Sequence, residues 1–118
     1  LHFENLEVWK RSIEFVKDIY RLTKAFPDDE KFGLASQIRR AAVSIPANVA
    51  EGSSRRSDKE FDRFLSIAFG SLSELVTLLI ISESQGYIPA GRFAVLKNEL
   101  EEISRMLSGL SRSFRKAE

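Results

Sequence analysis

The stretch QIRRAAVSIPANVAEGSSRRS, Gln37–Ser57, decides how this chain is read. Ile38, Ala41, Ile45 and Val49 recur at spacings of 3, 4 and 4, the period of one helix face, and Leu34 extends the stripe upstream. Pro46 stands in the middle of it. Inside a helix, proline removes one N–H and pushes against the carbonyl four residues back, here Ala42, at a cost of about 3 kcal/mol. Ala41, Ala42, Ala47 and Ala50 surround it with small, helix-favouring residues. The expectation is a kinked but continuous helix that stops near Gly52, with GSSRRS as the loop beyond it. Gln37, Arg40, Ser44, Asn48 and Glu51 follow spacings of 3, 4, 4 and 3 and share a second face. A structural polar network of Arg40, Ser44, Asn48 and Glu51 is the reading taken for them, over a ligand site.

Three further helices surround this one. The first is expected from about Asn5 to Ala25, ending before Pro27. It carries two apolar seams about 120° apart: Leu6, Trp9, Ile13, Val16 and Tyr20, and then Val8, Phe15, Ile19, Leu22 and Phe26. Pro27 with Asp28, Asp29 and Glu30 suits the start of the second helix. The third opens on SDKE, where Ser57 and Glu60 have capping-box spacing, and runs to about Ser84. Phe61, Phe64, Leu65, Ala68, Leu72, Leu75, Val76 and Leu79 form its main face, with Ile67, Leu78 and Ile81 on another side. Ser66, Gly70, Ser73 and Thr77 draw a line of small residues between them that would admit a neighbouring backbone, so this helix is expected to be the most buried. The fourth begins near Pro89, carries the seam Phe93, Leu96, Leu100, Ile103, Leu107 and Leu110, and frays over SRSFRKAE.

Short connections between helices give antiparallel neighbours. The fold class is therefore all-α, an up-down-up-down four-helix bundle occupying residues 1–118 as one domain. Two seams on the first helix and the second apolar side of the third exceed what one small bundle buries. Apolar surface left over in this way marks an interface, here a ring-like homo-oligomer.

Composition narrows the function by exclusion. The chain has no cysteine, which removes disulfides, thiolate metal sites and cysteine nucleophiles. Its one histidine, His2, is at the chain start, where it cannot by itself build a histidine metal site. GSSRRS lacks the second glycine and the lysine of a phosphate loop, and Ser53 and Ser54 have no evident general base. Glu99, Glu101 and Glu102 read as a solvated face. No enzyme activity and no cofactor are expected. The strongest apolar run, Leu75–Ile81, is far shorter than the roughly 18–20 residues of a membrane span, so no membrane and a cytoplasmic location are expected.

The net charge is +1, so nucleic-acid binding needs local clusters. Arg39, Arg40, Arg55, Arg56, Lys59 and Arg63 supply one, interrupted by Glu51, Asp58, Glu60 and Asp62. In a ring, Arg55 and Arg56 would repeat around one rim, and many weak contacts would add. Arg105, Arg112, Arg115 and Lys116 form a second basic group that also suits a helix C-terminus. Glu74, alone in an apolar helix, is expected to pair with an arginine and to join the polar network.

KFGLASQIRRAAVSIPANVAEGSSR, Lys31–Arg55, closely resembles the signature of the bacterial four-helix bundle proteins, also called 23S rRNA intervening-sequence proteins. FENLEVWKRS, FGSLSELVTLLIIS, GYI and EISRMLSGLSRSF agree with the same family, so the resemblance spans nearly the whole chain. It implies an antiparallel four-helix bundle assembling as a pentameric ring. It also implies kinship with accessory proteins of diversity-generating retroelements, which bind nucleic acid and a reverse transcriptase through a basic surface. The signature positions carried over are Arg39, Arg40, Ser44, Pro46, Asn48, Glu51 and Gly52, with Glu74 in the third helix. Two functions remain open: an oligomeric accessory protein that binds RNA or DNA, and a scaffold for a protein partner without nucleic-acid contact.

Overall fold

The computed structural model describes residues 1–116, and among them the only regular secondary structure is helical. A 3₁₀ turn, His2–Asn5, precedes α1 (Glu7–Thr23); a second, Asp28–Glu30, precedes α2 (Leu34–Ser53). Then come α3 (Asp58–Ser84) and α4 (Ala90–Lys116). Each helix packs on the next and α4 returns to α1, which closes a four-helix bundle of 47 × 23 × 20 Å. The α2–α3 pair is the most extensive.

One apolar cluster fills the bundle. Phe15, Ile19, Ile38, Ile45, Val49, Leu65, Leu75, Leu79, Leu96, Leu100, Ile103 and Leu107 are its fully buried large side chains. The stripes expected on α2, α3 and α4 all contribute. The two seams of α1 are unequal, however. Val8, Phe15, Ile19 and Phe26 are buried, whereas Leu6, Trp9, Ile13 and Val16 are half-buried and Tyr20 is exposed. The buried polar side chains on α1 and α3 are satisfied locally: Ser12, Thr23 and Ser82 each donate to the carbonyl four residues back.

Helix boundaries follow local chemistry. The second helix starts four residues after Glu30, because Gly33 is non-helical and the acids form their own 3₁₀ turn. Glu30 still serves α2, since its Oε1 accepts from the Leu34 N–H at 3.2 Å. Pro46 is buried within a continuous α2. The helix ends at Ser53, beside Gly52, as expected. Gly52 is itself helical and buried, and a Cβ there would meet Phe61 Cδ1 at 2.7 Å and Phe64 Cβ at 2.8 Å, so glycine at this position also lets α3 approach. The one positive-φ glycine is Gly86 (φ 79°), in the α3–α4 turn. At Ser57 only half of the capping box forms: Oγ accepts from Glu60 N at 3.1 Å, while the Glu60 carboxylate turns toward Arg63.

Three other expectations are corrected. SRSFRK is ordered helix, because Phe114 stacks on Phe61 at 4.9 Å and Ser111 Oγ donates to Asp62 Oδ1; Ala117 and Glu118 lie outside the described residues. Helix α3 is not buried all round. Leu78 joins the core, but Ser66, Ile67, Gly70, Ser73, Thr77, Ile80 and Ile81 face outward and no atom approaches within 4 Å of where a Gly70 Cβ would stand. Finally, α3 is long and apolar enough to cross a membrane by length and composition, which the short run Leu75–Ile81 did not suggest. Its inner arc forms the bundle core, and Glu74 sits mid-helix.

Candidate nucleic-acid interface

The six basic residues singled out in the sequence separate into two groups. Arg55, Arg56, Lys59 and Arg63 surround the α2–α3 turn, about fifteen residues, or some 23 Å of helix, from Arg39 and Arg40. Two of the four are engaged locally. Arg55 pairs with Glu51 at 2.9 Å and lies 4.9 Å from the Phe64 ring centre. Arg63 approaches Glu60 at 3.8 Å and the same ring at 5.0 Å. Arg56 and Lys59 are exposed, amid Asp58, Glu60 and Asp62 in sequence. In the second basic group Arg105 pairs with Glu102 at 2.9 Å, Arg112 and Arg115 are exposed, and the side chain of Lys116 lies outside those described.

Arg39 and Arg40 stand in a different setting. The last turns of α1, the connection after the second 3₁₀ turn and the first turns of α2 enclose a cleft of about 530 Å³. Tyr20, Lys31, Phe32, Ser36, Arg39, Arg40, Val43 and Ser44 line it. Three cations and no carboxylate meet there. Arg39 is fixed: its Nε donates to Thr23 Oγ1 at 2.7 Å, its Nη2 to the Tyr20 carbonyl at 3.4 Å, and its guanidinium lies 4.5 Å from the Tyr20 ring centre. Arg40 is exposed and, like Lys31, has no ion-pair partner among the described residues. Lys31 Nζ lies 5.5 Å from the ring centre of Phe32.

Two nearby acids are used elsewhere, whereas Asp28 lines an adjoining cleft with Lys31 and Arg39, and Glu74 one with Arg40. Glu30 caps α2 through one oxygen and accepts from the Tyr87 hydroxyl through the other at 3.3 Å. Burial first, and then the negative charge of Glu30, hold the Tyr87 hydroxyl above its ordinary pKa. Asp18 pairs with Arg21 at 2.6 Å.

The expected polar network is smaller than its sequence pattern. Ser44 Oγ shares a 2.7 Å hydrogen bond with Ser71 Oγ on α3, and Asn48 Nδ2 donates to Ser44 Oγ and to the Ser44 carbonyl at 2.9 and 2.8 Å. Arg40, Glu51 and Glu74 lie outside it. Glu51 is taken by Arg55, one turn on. Arg40 and Glu74 line a second cleft of about 440 Å³ between α2 and α3, with no ion pair between them; the expected arginine partner of Glu74 is missing because the side chain is exposed and water solvates its charge. Ser71, Lys31 and Phe32 were not among the candidate site residues, and Tyr20 was read only as part of an apolar seam. Phe32 had a signal: a large aromatic in DDEKFG, belonging to no seam.

A family model for the 23S rRNA-intervening sequence protein matches residues 4–109, all of α1–α3 and most of α4. The chain belongs to that family. Among solved structures it is similar to a protein of unknown function from the S23 ribosomal protein family of Bacteroides thetaiotaomicron. The TM-score is 0.82 at 28% identity, over 89% of this chain and 95% of that one. No curated protein matches the chain. Within the family signature the geometry separates two kinds of residue. Ser44 and Gly52 join α2 to α3, with Asn48 bonded to Ser44 and Pro46 buried in the helix, whereas Arg39 and Arg40 open onto solvent beside aromatics. No group of three or more His, Asp or Glu that could hold a metal occurs among the described residues.

Proposed function

We propose that this member of the family is a non-enzymatic accessory protein, a ring-like homo-oligomer that binds nucleic acid. The observation that carries the reading is the α1–α2 cleft, where Lys31, Arg39 and Arg40 converge without a carboxylate. On a chain of net charge +1, with seven local ion pairs in its described part, an acid-free cluster of three cations is the place where phosphates gain most. This moves the weight of the reading from the Arg55–Arg56 rim to Arg39 and Arg40.

The outer face of α3 supports assembly. From Ser66 to Ile81 its solvent side carries one charge, Glu74, while Ile67, Ile80 and Ile81 are 44%, 47% and 42% exposed. Small residues Ser66, Gly70, Ser73 and Thr77 run beside them and would let a second copy come close. Five copies is the number the family resemblance implies.

Light scattering and fluorescence anisotropy test this together, with structured RNA and duplex DNA at low and physiological salt, beside a Lys31→Gln/Arg40→Gln variant. Three cations per cleft predict a log–log salt slope of about −2 to −3 for each cleft engaged, and the variant removes most of it. Absent binding at low salt, or binding indifferent to both salt and variant, would sink the nucleic-acid reading; a monomeric mass would sink the ring. The second reading, a protein scaffold, has its own observation. Leu6, Val8, Met106 and Leu110 line an apolar groove of about 400 Å³ between α1 and α4. A partner held there would bind with little dependence on salt.

A further inference from the structure

The α1–α2 cleft has a feature that phosphate contacts alone do not call for. Phe32 is 89% exposed, more than any other large apolar side chain among the described residues, and it stands at the cleft rather than in the bundle. Across the same cleft Tyr20 is 40% exposed, with the Arg39 guanidinium 4.5 Å from its ring centre. Nucleobases stack on aromatic faces and on guanidinium planes whatever their sequence. In a duplex every internal base is already stacked between its neighbours and offers no free face. An unpaired strand does, and its phosphates lie where flanking cations reach them. The cleft volume, about 530 Å³, is in the range of preformed small-ligand sites. Resting on the nucleic-acid reading above, we infer that the cleft takes single-stranded nucleic acid, with one unpaired base on Phe32 and the adjoining phosphates on Lys31, Arg39 and Arg40. The chemistry is common to RNA and DNA strands, since base faces and phosphates are what the cleft meets.

The test uses the whole chain and labelled oligouridine, oligothymidine and a duplex, each about twelve nucleotides long. Phe32→Ala and Phe32→Trp are compared with the parent, and because Phe32 contributes nothing to the core, both keep the fold. Single strands should bind more tightly than the duplex. Phe32→Ala should weaken single-strand binding roughly 5- to 150-fold, the range expected for one stacked base, and leave duplex binding unmoved. Phe32→Trp should retain affinity, and its emission, read above the Trp9 background, should fall when a strand binds. Tighter binding of either strand type supports the inference and tells which sugar the cleft accepts. Equal binding of strand and duplex with no effect of Phe32→Ala overturns it while leaving the basic-cleft reading in place. No binding of any oligonucleotide at low salt overturns both. An assembly that falls apart in Phe32→Ala, with binding per subunit unchanged, assigns Phe32 to a subunit contact and overturns it as well.

Discussion

Replacing Gly52 by alanine gives a direct measure of how closely α2 and α3 approach. In an exposed helix this change is favourable by up to about 1 kcal/mol, because alanine loses less backbone freedom on folding. Here the new Cβ would stand 2.7 Å from Phe61 Cδ1, 2.8 Å from Phe64 Cβ and 3.2 Å from the Phe61 carbonyl oxygen. The Phe61 ring can rotate. Phe64 Cβ and the Phe61 carbonyl cannot move without α3, and the paired helices must separate by several tenths of an ångström. Overpacking of this kind costs about 1–3 kcal/mol. The net expectation is a loss of about 1–2 kcal/mol, or roughly 4–8 °C in Tm for a chain of this size. Gly109→Ala is the matched control: its Cβ would meet only the tip of Arg112, at 4.0 Å, and Tm should rise by about 2–4 °C. Thermal unfolding followed by circular dichroism, at one protein concentration, reads both. A Gly52→Ala protein as stable as the parent would refute the close approach as the reason for glycine at this position.

Three other outcomes are expected. Ser57→Ala removes the side-chain acceptor for Glu60 N and should cost about 0.5–2 kcal/mol in urea unfolding; an unchanged midpoint would mean that water caps α3 equally well. If copies assemble through the outer face of α3 as proposed, Ile67→Glu combined with Ile81→Glu places two charges there and should reduce the mass in light scattering to that of one 13.4 kDa chain, with helix content preserved; a parent already of that mass, or no change from a larger parent, would count against assembly through α3. The Tyr87 hydroxyl, held above its ordinary value of 10.0 by burial and then by Glu30, favours folding while it is protonated. That contribution is complete below pH 10.0 and is lost as pH rises through the higher folded value. Tyr87→Phe should therefore lose less stability than the parent across that alkaline window, and parallel losses would mean that folding does not hold the hydroxyl above its ordinary value.

Helix identity was legible because each core stripe keeps its period over three or more turns: Ile38, Ala41, Ile45 and Val49 on α2, and Leu96, Leu100, Ile103 and Leu107 on α4, are buried as their spacing predicts. What periodicity does not carry is partnership. It put Arg40, Ser44, Asn48 and Glu51 on one face, yet only Ser44 and Asn48 are hydrogen-bonded to each other, because Ser71 comes from α3 and Arg55 captures Glu51 within one turn. It gave α1 two seams without ranking them, yet the line through Phe15 and Ile19 is buried in the core while Leu6, Trp9 and Val16 pack against it half-buried. Gly52 marked the place where α2 ends but not its second role, since a glycine required by a crossing helix has no local signature. The cleft was half-legible for the same reason: Arg39 and Arg40 stood out as charges, whereas Tyr20, sixteen or more residues from most of the lining, is brought there only by the packing of α1 on α2.

The double use of Glu30 bears on the order in which this chain can mature. The carboxylate that caps α2 also receives the Tyr87 hydroxyl from 57 positions downstream, and Phe26 rests against the same ring at 5.5 Å. Every lining residue of the basic cleft is synthesised before residue 45, but the brace beneath Lys31 and Phe32 is not. Closing that long-range contact requires α3 to have formed and folded back, a step of high sequence separation and correspondingly slow. A nascent α1–α2 hairpin would thus display the cations of the cleft on an unbraced turn, and Glu30 would gain its second partner only when the second half of the chain arrives.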